Sequence, residues 1–172
     1  MRARLLRGLA ITALALGVAA VALWFFGPYE RVDTTIDFDA STVPGDLDGW
    51  LADREGQVPG LEPAAAKRIL WAGLPGRRTD LVLVYLHGFS ATSWELRPVP
   101  DRIGAALGAN VFLTRLAGHG IDGTALAEAR AGDWIEDLAE AMAIARRLGD
   151  RIVVIGTSTG GTLAGLLAAD PG

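Results

Sequence analysis

The 172-residue chain contains no cysteine and only two histidines. The absence of cysteine excludes disulfide bridges, thiolate metal sites and a cysteine nucleophile. The chain also lacks the G-x-G-x-x-G and Gly-Lys-Ser/Thr signatures of nucleotide sites, so we expect neither a metal ion nor a cofactor. Hydrophobic residues make up 51% and charged residues 21% of the chain, which is typical of a globular protein with some apolar excess.

The chain has no excess of basic residues. Removing the three arginines among the first seven residues from the 16 basic residues leaves 13 against 20 acidic ones, a net charge of −7 for the remainder. Binding to the phosphate backbone of nucleic acid needs the opposite sign and a clustered basic patch. We therefore expect no nucleic acid as a partner.

Between Arg7 and Glu30 there is no charged residue. About 20 apolar residues at a rise of roughly 1.5 Å each span the ~30 Å hydrocarbon layer of a membrane. We predict a signal anchor or transmembrane helix over residues 1–29, with residues 8–27 in the membrane. Positive-inside asymmetry places the N-terminus in the cytoplasm and the remainder of the chain outside it.

A cleaved signal peptide is the alternative interpretation of the same segment. Ala20-Val21-Ala22 fits the A-x-A cleavage pattern, although the apolar run continues through Phe26. With cleavage, the body of the protein is secreted or periplasmic. Both interpretations place it outside the cytoplasm.

Residues 30–63 are rich in Asp, Gly and Pro and have no long apolar run. We predict an extracytoplasmic connecting arm, interrupted by one short helix that Asp46 caps and that places Leu47, Trp50 and Leu51 on one face. The globular domain is predicted over residues 64–172.

Four short apolar runs in that domain predict strands, and helical patterns alternate with them. The runs are "KRILWAG" (67–73), "LVLVYLHG" (81–88), "NVFLTR" (110–115) and "RIVVIG" (151–156). One helix is expected from about Glu95 to Leu107, and another starts at "DWIEDLAEAM" with Asp133 and Glu136 as a capping-box-like pair. This order predicts an α/β fold with a mostly parallel sheet and flanking helices, in which the last strand is covered on both faces.

Ligands bind beyond the carboxyl ends of parallel strands, so the residues after each strand are candidates for a site. Gly156-Thr157-Ser158-Thr159-Gly160 matches G-x-S-x-G, with an apolar strand before it and a helix after it. The pattern predicts that Ser158 lies on a strained turn and that Gly156 and Gly160 remove side chains that would clash there. A Gly-rich turn of a phosphate-binding unit is the alternative, which the missing nucleotide signatures disfavour.

The chain resembles the α/β-hydrolase superfamily, in particular its carboxylesterases and monoacylglycerol-lipase-like members. The resemblance covers about residues 67–171 and is carried by "YLHGFSAT", "TRLAGHGIDG", "DWIEDLAEAM" and "VIGTSTGGTLA". It implies that Ser158 is an acylated nucleophile and that the backbone N–H groups of Phe89 and Thr159 form the oxyanion hole. In this family, bulkier residues are usual at the position of Thr159. The difference does not affect the implied role, because the backbone N–H does not depend on the side chain.

The resemblance also implies roles for the two histidines. It makes His87, with Gly88, a loop-organising residue, direct contact with substrate being the alternative, and it places His119 in a loop at the rim of the site. We expect neither to act as the general base. Trp94 and Phe89 could line an apolar pocket, although core packing is the favoured role of Trp94.

In this superfamily the acid and the histidine of the triad follow the nucleophile in the chain. After Ser158 the only acidic residue is Asp170, and there is no histidine. We interpret the chain as the N-terminal half of an α/β-hydrolase fold, a fragment of a longer protein and inactive by itself.

The expected function is hydrolysis of a carboxylic ester or acylglycerol through an acyl-enzyme on Ser158. An acyltransferase, a thioesterase or a peptidase would use the same turn, because all of them form an acyl-enzyme. A non-catalytic α/β-hydrolase-like binding protein is a further alternative, since a fold alone does not define a function.

Overall fold

The computed structural model describes residues 2–27 and 29–169. They fall into two compact units, Met1–Arg31 and Val32–Gly172. Asp170, the one acidic residue that follows Ser158 in the sequence, lies outside the described residues.

The first unit contains one helix, α1 (Arg2–Phe26). Its segment Leu6–Phe26 is long and apolar enough to cross a membrane, and none of it is buried in the structure. A signal sequence near an N-terminus has the same length and composition. The helix therefore agrees with an anchor and with a signal peptide alike.

The second unit alternates strands and helices. Its strands are β1 (Arg68–Leu70), β2 (Thr79–Leu86), β3 (Asn110–Leu113) and β4 (Gly149–Gly156). Its helices are α2 (Leu47–Gly56), α3 (Val99–Leu107), α4 (Gly123–Glu128), α5 (Ala131–Leu148) and α6 (Thr159–Ala169). Short 3-10 turns lie at Ala40–Thr42, Pro63–Ala65 and Ser93–Glu95.

The four strands form one sheet in the order β1-β3-β2-β4. β2 runs parallel to both β3 and β4, whereas β1 pairs with β3 in the antiparallel direction. The predicted α/β fold with a mostly parallel sheet is therefore confirmed. Because β2, β3 and β4 run parallel, the loops that follow them emerge at one edge of the sheet.

Side chains of β2 alternate between two apolar clusters, as the period of a strand requires. Val82, Val84 and Leu86 pack into the cluster that contains the buried face of α5, whereas Leu83 and Tyr85 pack into the cluster on the other face of the sheet. β2 is thus buried on both faces, which explains its nearly continuous apolar sequence.

The segment predicted as a connecting arm packs against this core. Asp46 caps α2 as predicted, since its side chain accepts a hydrogen bond from the Gly49 N–H at 3.0 Å. Leu47 and Leu51 of α2 are buried in the main apolar cluster together with Val43. Residues 43–51 are therefore a packed part of the second unit, because they supply apolar side chains that cover the sheet.

Three local predictions differ from the structure. The helix expected from Glu95 begins at Val99, with Pro98 as its N-cap residue and Pro100 in its first turn, where a missing N–H is tolerated. α5 begins at Ala131, and Asp133 is the third residue of its capping box, where it accepts from the Arg130 N–H at 2.8 Å. β4 is not covered on both faces: it lies at an edge of the described sheet, and Val153 is 42% exposed.

Candidate active site

Ser158 lies at the turn between β4 and α6 with a φ of +48°. A left-handed conformation costs roughly 1–3 kcal/mol for a residue with a side chain, so the surrounding structure must impose it. The Thr157 N–H donates to Leu86 O at 3.0 Å, and the Gly160 N–H donates to Thr157 O at 2.8 Å. The first bond ties the turn to the end of β2, the second closes the turn across Ser158, and Ser158 itself is exposed.

The two glycines that flank Ser158 allow the close approach of three backbone segments. A Cβ atom on Gly156 would overlap the backbone of Gly160, and a Cβ atom on Gly160 would overlap Leu86 O at the end of β2. No side chain fits at either position without moving the backbone. The glycine spacing of the motif therefore follows from packing between α6, β4 and β2.

The backbone N–H groups of Phe89 and Thr159, predicted to form an oxyanion hole, lie in the loops that follow the paired strands β2 and β4. Within the described residues, neither N–H donates a hydrogen bond to another protein group. Thr159 is also the first residue of α6, an 11-residue helix whose N-terminal end carries partial positive charge. Unpaired backbone donors of this kind suit a developing negative charge on oxygen.

His87 is fully buried, and both of its ring nitrogens are engaged by the backbone. The Leu116 N–H donates to Nε2 at 3.1 Å, so the ring hydrogen is on Nδ1, which lies 2.9 Å from Gly88 O. Burial lowers the pKa of His87 to about 4, so the ring is neutral at physiological pH. By holding Gly88 O, His87 orients the peptide group whose N–H belongs to Phe89, a geometry that agrees with the expected loop-organising role.

His119 is arranged in the same way in the loop after β3. Its Nε2 accepts from the Ser90 N–H at 3.1 Å, and its Nδ1 lies 3.0 Å from Ala117 O. Its ring packs edge-on against that of His87, with the centroids 4.8 Å apart. Each imidazole therefore joins the loop after β2 to the loop after β3, and neither has a ring nitrogen left to take a proton from Ser158.

A second polar link connects the loop after β2 to the turn after β4. The phenol of Tyr85 donates to Glu95 Oε2 at 3.0 Å and lies 3.1 Å from the hydroxyl of Thr157. The same carboxylate oxygen accepts from the Gly88 N–H at 2.8 Å. Burial, followed by the neighbouring Glu95 carboxylate, raises the pKa of Tyr85 to about 12, so the phenol remains a hydrogen-bond donor.

The model of the family described as "Alpha/beta hydrolase family" matches residues 81–171, which is more than half of the chain and contains both loops and the turn described above. The chain belongs to the alpha/beta hydrolase family. The resemblance inferred from its motifs is therefore confirmed.

Two relatives of this hydrolase domain are lipolytic. The thermostable monoacylglycerol lipase of Bacillus sp. (strain H-257) is 33% identical over 86 residues, which are 50% of this chain and 34% of that protein. A solved structure from a study of metagenome-derived lipolytic enzymes has a TM-score of 0.55 and 26% identity, and the match covers 63% of this chain and 41% of that one. The match thus spans less than half the length of either relative.

A network of buried charges lies behind the histidines of the hydrolase domain. Lys67 Nζ lies 3.0 Å from Asp137 Oδ1 and 2.5 Å from Glu140 Oε1, and all three side chains are largely buried. The Asp137 Oδ2 accepts from the Ala117 N–H at 2.6 Å, and so fixes the loop that carries His119. The network continues through the buried pair Glu55 and Arg115, which form two hydrogen bonds of 2.7 and 2.8 Å.

An apolar cavity of about 520 Å³ opens beside the loop after β2. Ser90 lines it, next to Phe89, and so does His119. Its apolar lining comes from Ala64, Ala65, Ala91, Trp94, Ile121 and Leu126. Trp94 is 53% exposed at this cavity, so the core-packing role favoured for it was wrong: its Nε1 donates to Ala64 O at 2.8 Å, and the Arg97 guanidinium lies over its ring.

The structure brings the predicted residues together at one edge of the sheet. Sequence reasoning missed Glu95, which was assigned to a helix, and also Tyr85 and the Lys67 network. The sequence offered one clue to Glu95: it is an acidic residue seven positions after Gly88, near enough in the chain to accept a hydrogen bond from that loop. In the part of the chain that the structure describes, no group of three histidine, aspartate and glutamate residues is placed to hold a metal ion.

Proposed function

We propose that the protein containing this chain is a serine hydrolase that cleaves carboxylic esters through an acyl-enzyme on Ser158. In this mechanism the Ser158 hydroxyl attacks the ester carbonyl carbon, and the N–H groups of Phe89 and Thr159 stabilise the oxyanion that forms. The alcohol then leaves, and water releases the acid from the acyl-enzyme.

The observation that carries this proposal is the conformation of the turn. Ser158 has a positive φ between glycines that no larger residue can replace, and the chain keeps it exposed beside two unpaired backbone donors. Strained conformations of this kind persist where the surrounding structure over-determines them, which is common at catalytic residues. Membership of the alpha/beta hydrolase family and the lipolytic relatives support the same chemistry.

The general base is proposed to lie outside the described residues. Both histidines of the chain use their ring nitrogens to hold the backbone, and a serine hydroxyl needs a base to act as a nucleophile at neutral pH. In the family the acid and the histidine come from strands that follow the nucleophile. We therefore expect activity from the full-length protein and not from residues 1–172 alone.

The proposed substrates are acylglycerols and short esters. The curated relative is a monoacylglycerol lipase, and the apolar cavity beside Ser90 offers space for an acyl chain. α1 is proposed as a membrane anchor that crosses at residues 8–27, with the hydrolase domain on the extracytoplasmic side. Such an anchor would hold the site next to lipid substrates.

Labelling with a fluorophosphonate probe tests the nucleophile in the full-length protein. The wild type and a Ser41→Ala control, which changes a serine near the exposed start of the second unit, should be labelled and should hydrolyse p-nitrophenyl butyrate. Ser158→Ala should lose labelling and at least about 10³-fold of kcat. The labelled band should sediment with membranes if α1 is retained.

Labelling of the Ser158→Ala variant would contradict the nucleophile assignment. Addition of an acyl acceptor such as glycerol distinguishes hydrolysis from acyl transfer, because a transferase would produce a new ester at the expense of free acid. An unlabelled wild-type protein would favour a non-catalytic role.

A further inference from the structure

The Glu95 side chain contacts the predicted oxyanion loop at Gly88 and also Tyr85, which lies against the serine turn. Its Oε2 accepts from the Gly88 N–H at 2.8 Å and from the Tyr85 hydroxyl at 3.0 Å. Both donors therefore converge on one carboxylate oxygen. Its Oε1 lies against Gly88, where an added Cβ would be 3.0 Å away.

The Tyr85 hydroxyl also contacts the serine turn. Because its hydrogen is donated to Glu95, the hydroxyl oxygen is left to accept from the Thr157 Oγ1, 3.1 Å away. Thr157 immediately precedes Ser158, just as Gly88 immediately precedes Phe89. The chain of contacts Gly88, Glu95, Tyr85, Thr157 therefore joins the residues next to the nucleophile and next to one oxyanion donor.

The backbone N–H and the backbone carbonyl of Gly88 are held by different side chains. Glu95 holds the N–H of Gly88, and His87 Nδ1 holds its carbonyl oxygen. The Phe89 N–H belongs to the peptide group of that carbonyl, so its direction depends on both contacts. A shift of about 1 Å in such a donor can change the rate of a reaction about a hundredfold.

We propose that Glu95 is a positioning residue for the hydrolysis, which sets the distance between the Phe89 N–H and the Ser158 hydroxyl through Gly88 and through Tyr85 and Thr157. The inference rests on the proposed function. Since the two bonds need one acceptor oxygen, and the amide oxygen of glutamine supplies one, the geometry requires an acceptor at this position and does not require a negative charge.

The kinetic test compares Glu95→Ala with Glu95→Gln in the full-length protein, with Glu128→Ala as a control on an exposed residue of α4. Glu95→Ala should lower kcat for p-nitrophenyl butyrate about ten- to a hundredfold and change KM by less than about twofold, because an oxyanion donor acts mainly in the transition state. Glu95→Gln should keep kcat within about threefold of the wild type, since it retains the acceptor oxygen. Glu128→Ala should match the wild type.

A structural measurement separates positioning from loss of stability. Glu95→Ala removes the acceptor of two buried groups, the Gly88 N–H and the Tyr85 hydroxyl, so it should also lower the unfolding midpoint by several degrees. The rates are therefore compared at a temperature at which circular dichroism shows every variant to be folded. Hydrogen–deuterium exchange at the Gly88 amide should become faster in Glu95→Ala and stay slow in Glu95→Gln. Tyr85→Phe, which removes the link to Thr157 and leaves the Gly88 bond in place, should lower kcat less than Glu95→Ala does.

The proposal is overturned if Glu95→Ala keeps the wild-type kcat, if Glu95→Gln is impaired as much as Glu95→Ala, or if only KM changes. It is also overturned if Gly88 exchange is the same in all variants. If the wild type hydrolyses no ester but Gly88 exchange still responds, the proposed function fails and Glu95 keeps only the ordering of the loop.

Discussion

The turn after β4 and the two loops after β2 and β3 are held by different interactions. At the turn, the shape depends on close backbone contact, because Gly156 and Gly160 leave no room for a Cβ atom and Ser158 has a positive φ. In the loops, the shape depends on polar groups, because His87 and His119 bond to the backbone of both loops.

This difference predicts how each part responds to change. Close-packed backbone has no way to accommodate even one added methyl group, so the turn should fail abruptly. A hydrogen-bonded loop loses one contact at a time, so the loops should respond in a graded manner. Because burial lowers the pKa of His87, its contacts should also be lost at low pH. Variants of each part can test the distinction.

The largest effect is expected from Gly160→Ala. Its Cβ would overlap Leu86 O, which is backbone and cannot rotate away, so the free energy of unfolding should fall by at least about 3 kcal/mol. Gly165→Ala is the matched control in the same helix, where a Cβ meets nothing within 4 Å. It should raise stability by about 0.5–1 kcal/mol in urea unfolding followed by circular dichroism. Equal stability of the two variants would show that the close approach at Gly160 is not limiting.

An effect of at most the same size is expected from Lys67→Met. Burial opposes the charge of Lys67, but Asp137 and Glu140 outweigh it and raise its pKa above the usual value. Removing the lysine leaves the buried Asp137 carboxylate without its cation, whereas Glu140 keeps its ion pair with Arg54. Loss of one partner of a buried ion pair should cost about 3 kcal/mol in the same unfolding measurement. Asp150→Ala breaks an exposed ion pair with Arg78 and should cost no more than about 1 kcal/mol. A cost of that size for Lys67→Met would mean that the network does not stabilise the loops.

The smallest effect concerns His87 and appears only at low pH. Its pKa is about 4 in the folded protein against 6.5 for the unperturbed group, so the unfolded chain binds more protons between these values. Stability should therefore fall as the pH is lowered from about 6.5 to about 4, by up to about 3 kcal/mol. Urea unfolding at several pH values should show that the free energy of unfolding depends less steeply on pH in His87→Gln than in the wild type. An unchanged slope would assign the pH dependence to other groups.

The serine turn could be predicted from the sequence because its requirements are local. Gly156, Ser158 and Gly160 are close in the chain, and a strand and a helix flank them, so the motif predicted the backbone contacts seen here. The Lys67 network could not be predicted in the same way, since Asp137 and Glu140 lie 70 and 73 residues away in the chain. In the sequence alone, the charged residues Lys67, Asp137 and Glu140 have the pattern of surface positions. Only the folded structure shows that they are buried together.

The boundaries of the elements show the same limit. Asp46 predicted its helix correctly because a cap is a local contact, whereas the position of β4 at an edge depends on which strands pair with it. The antiparallel direction of β1 had no local signal either, because its short apolar run pairs with β3, about 40 residues later in the chain.

Lys67 is the only lysine in the 172 residues, and its side chain is 7% exposed. Activated esters, which modify the surface amines of most proteins without catalysis, therefore find almost no reactive side-chain amine in this chain. Acyl groups that peptide mapping finds within residues 1–172 after such treatment should therefore lie on the N-terminal amine or on Ser158, which separates the serine from the background. A reagent that does modify Lys67 would report opening of the buried charge network.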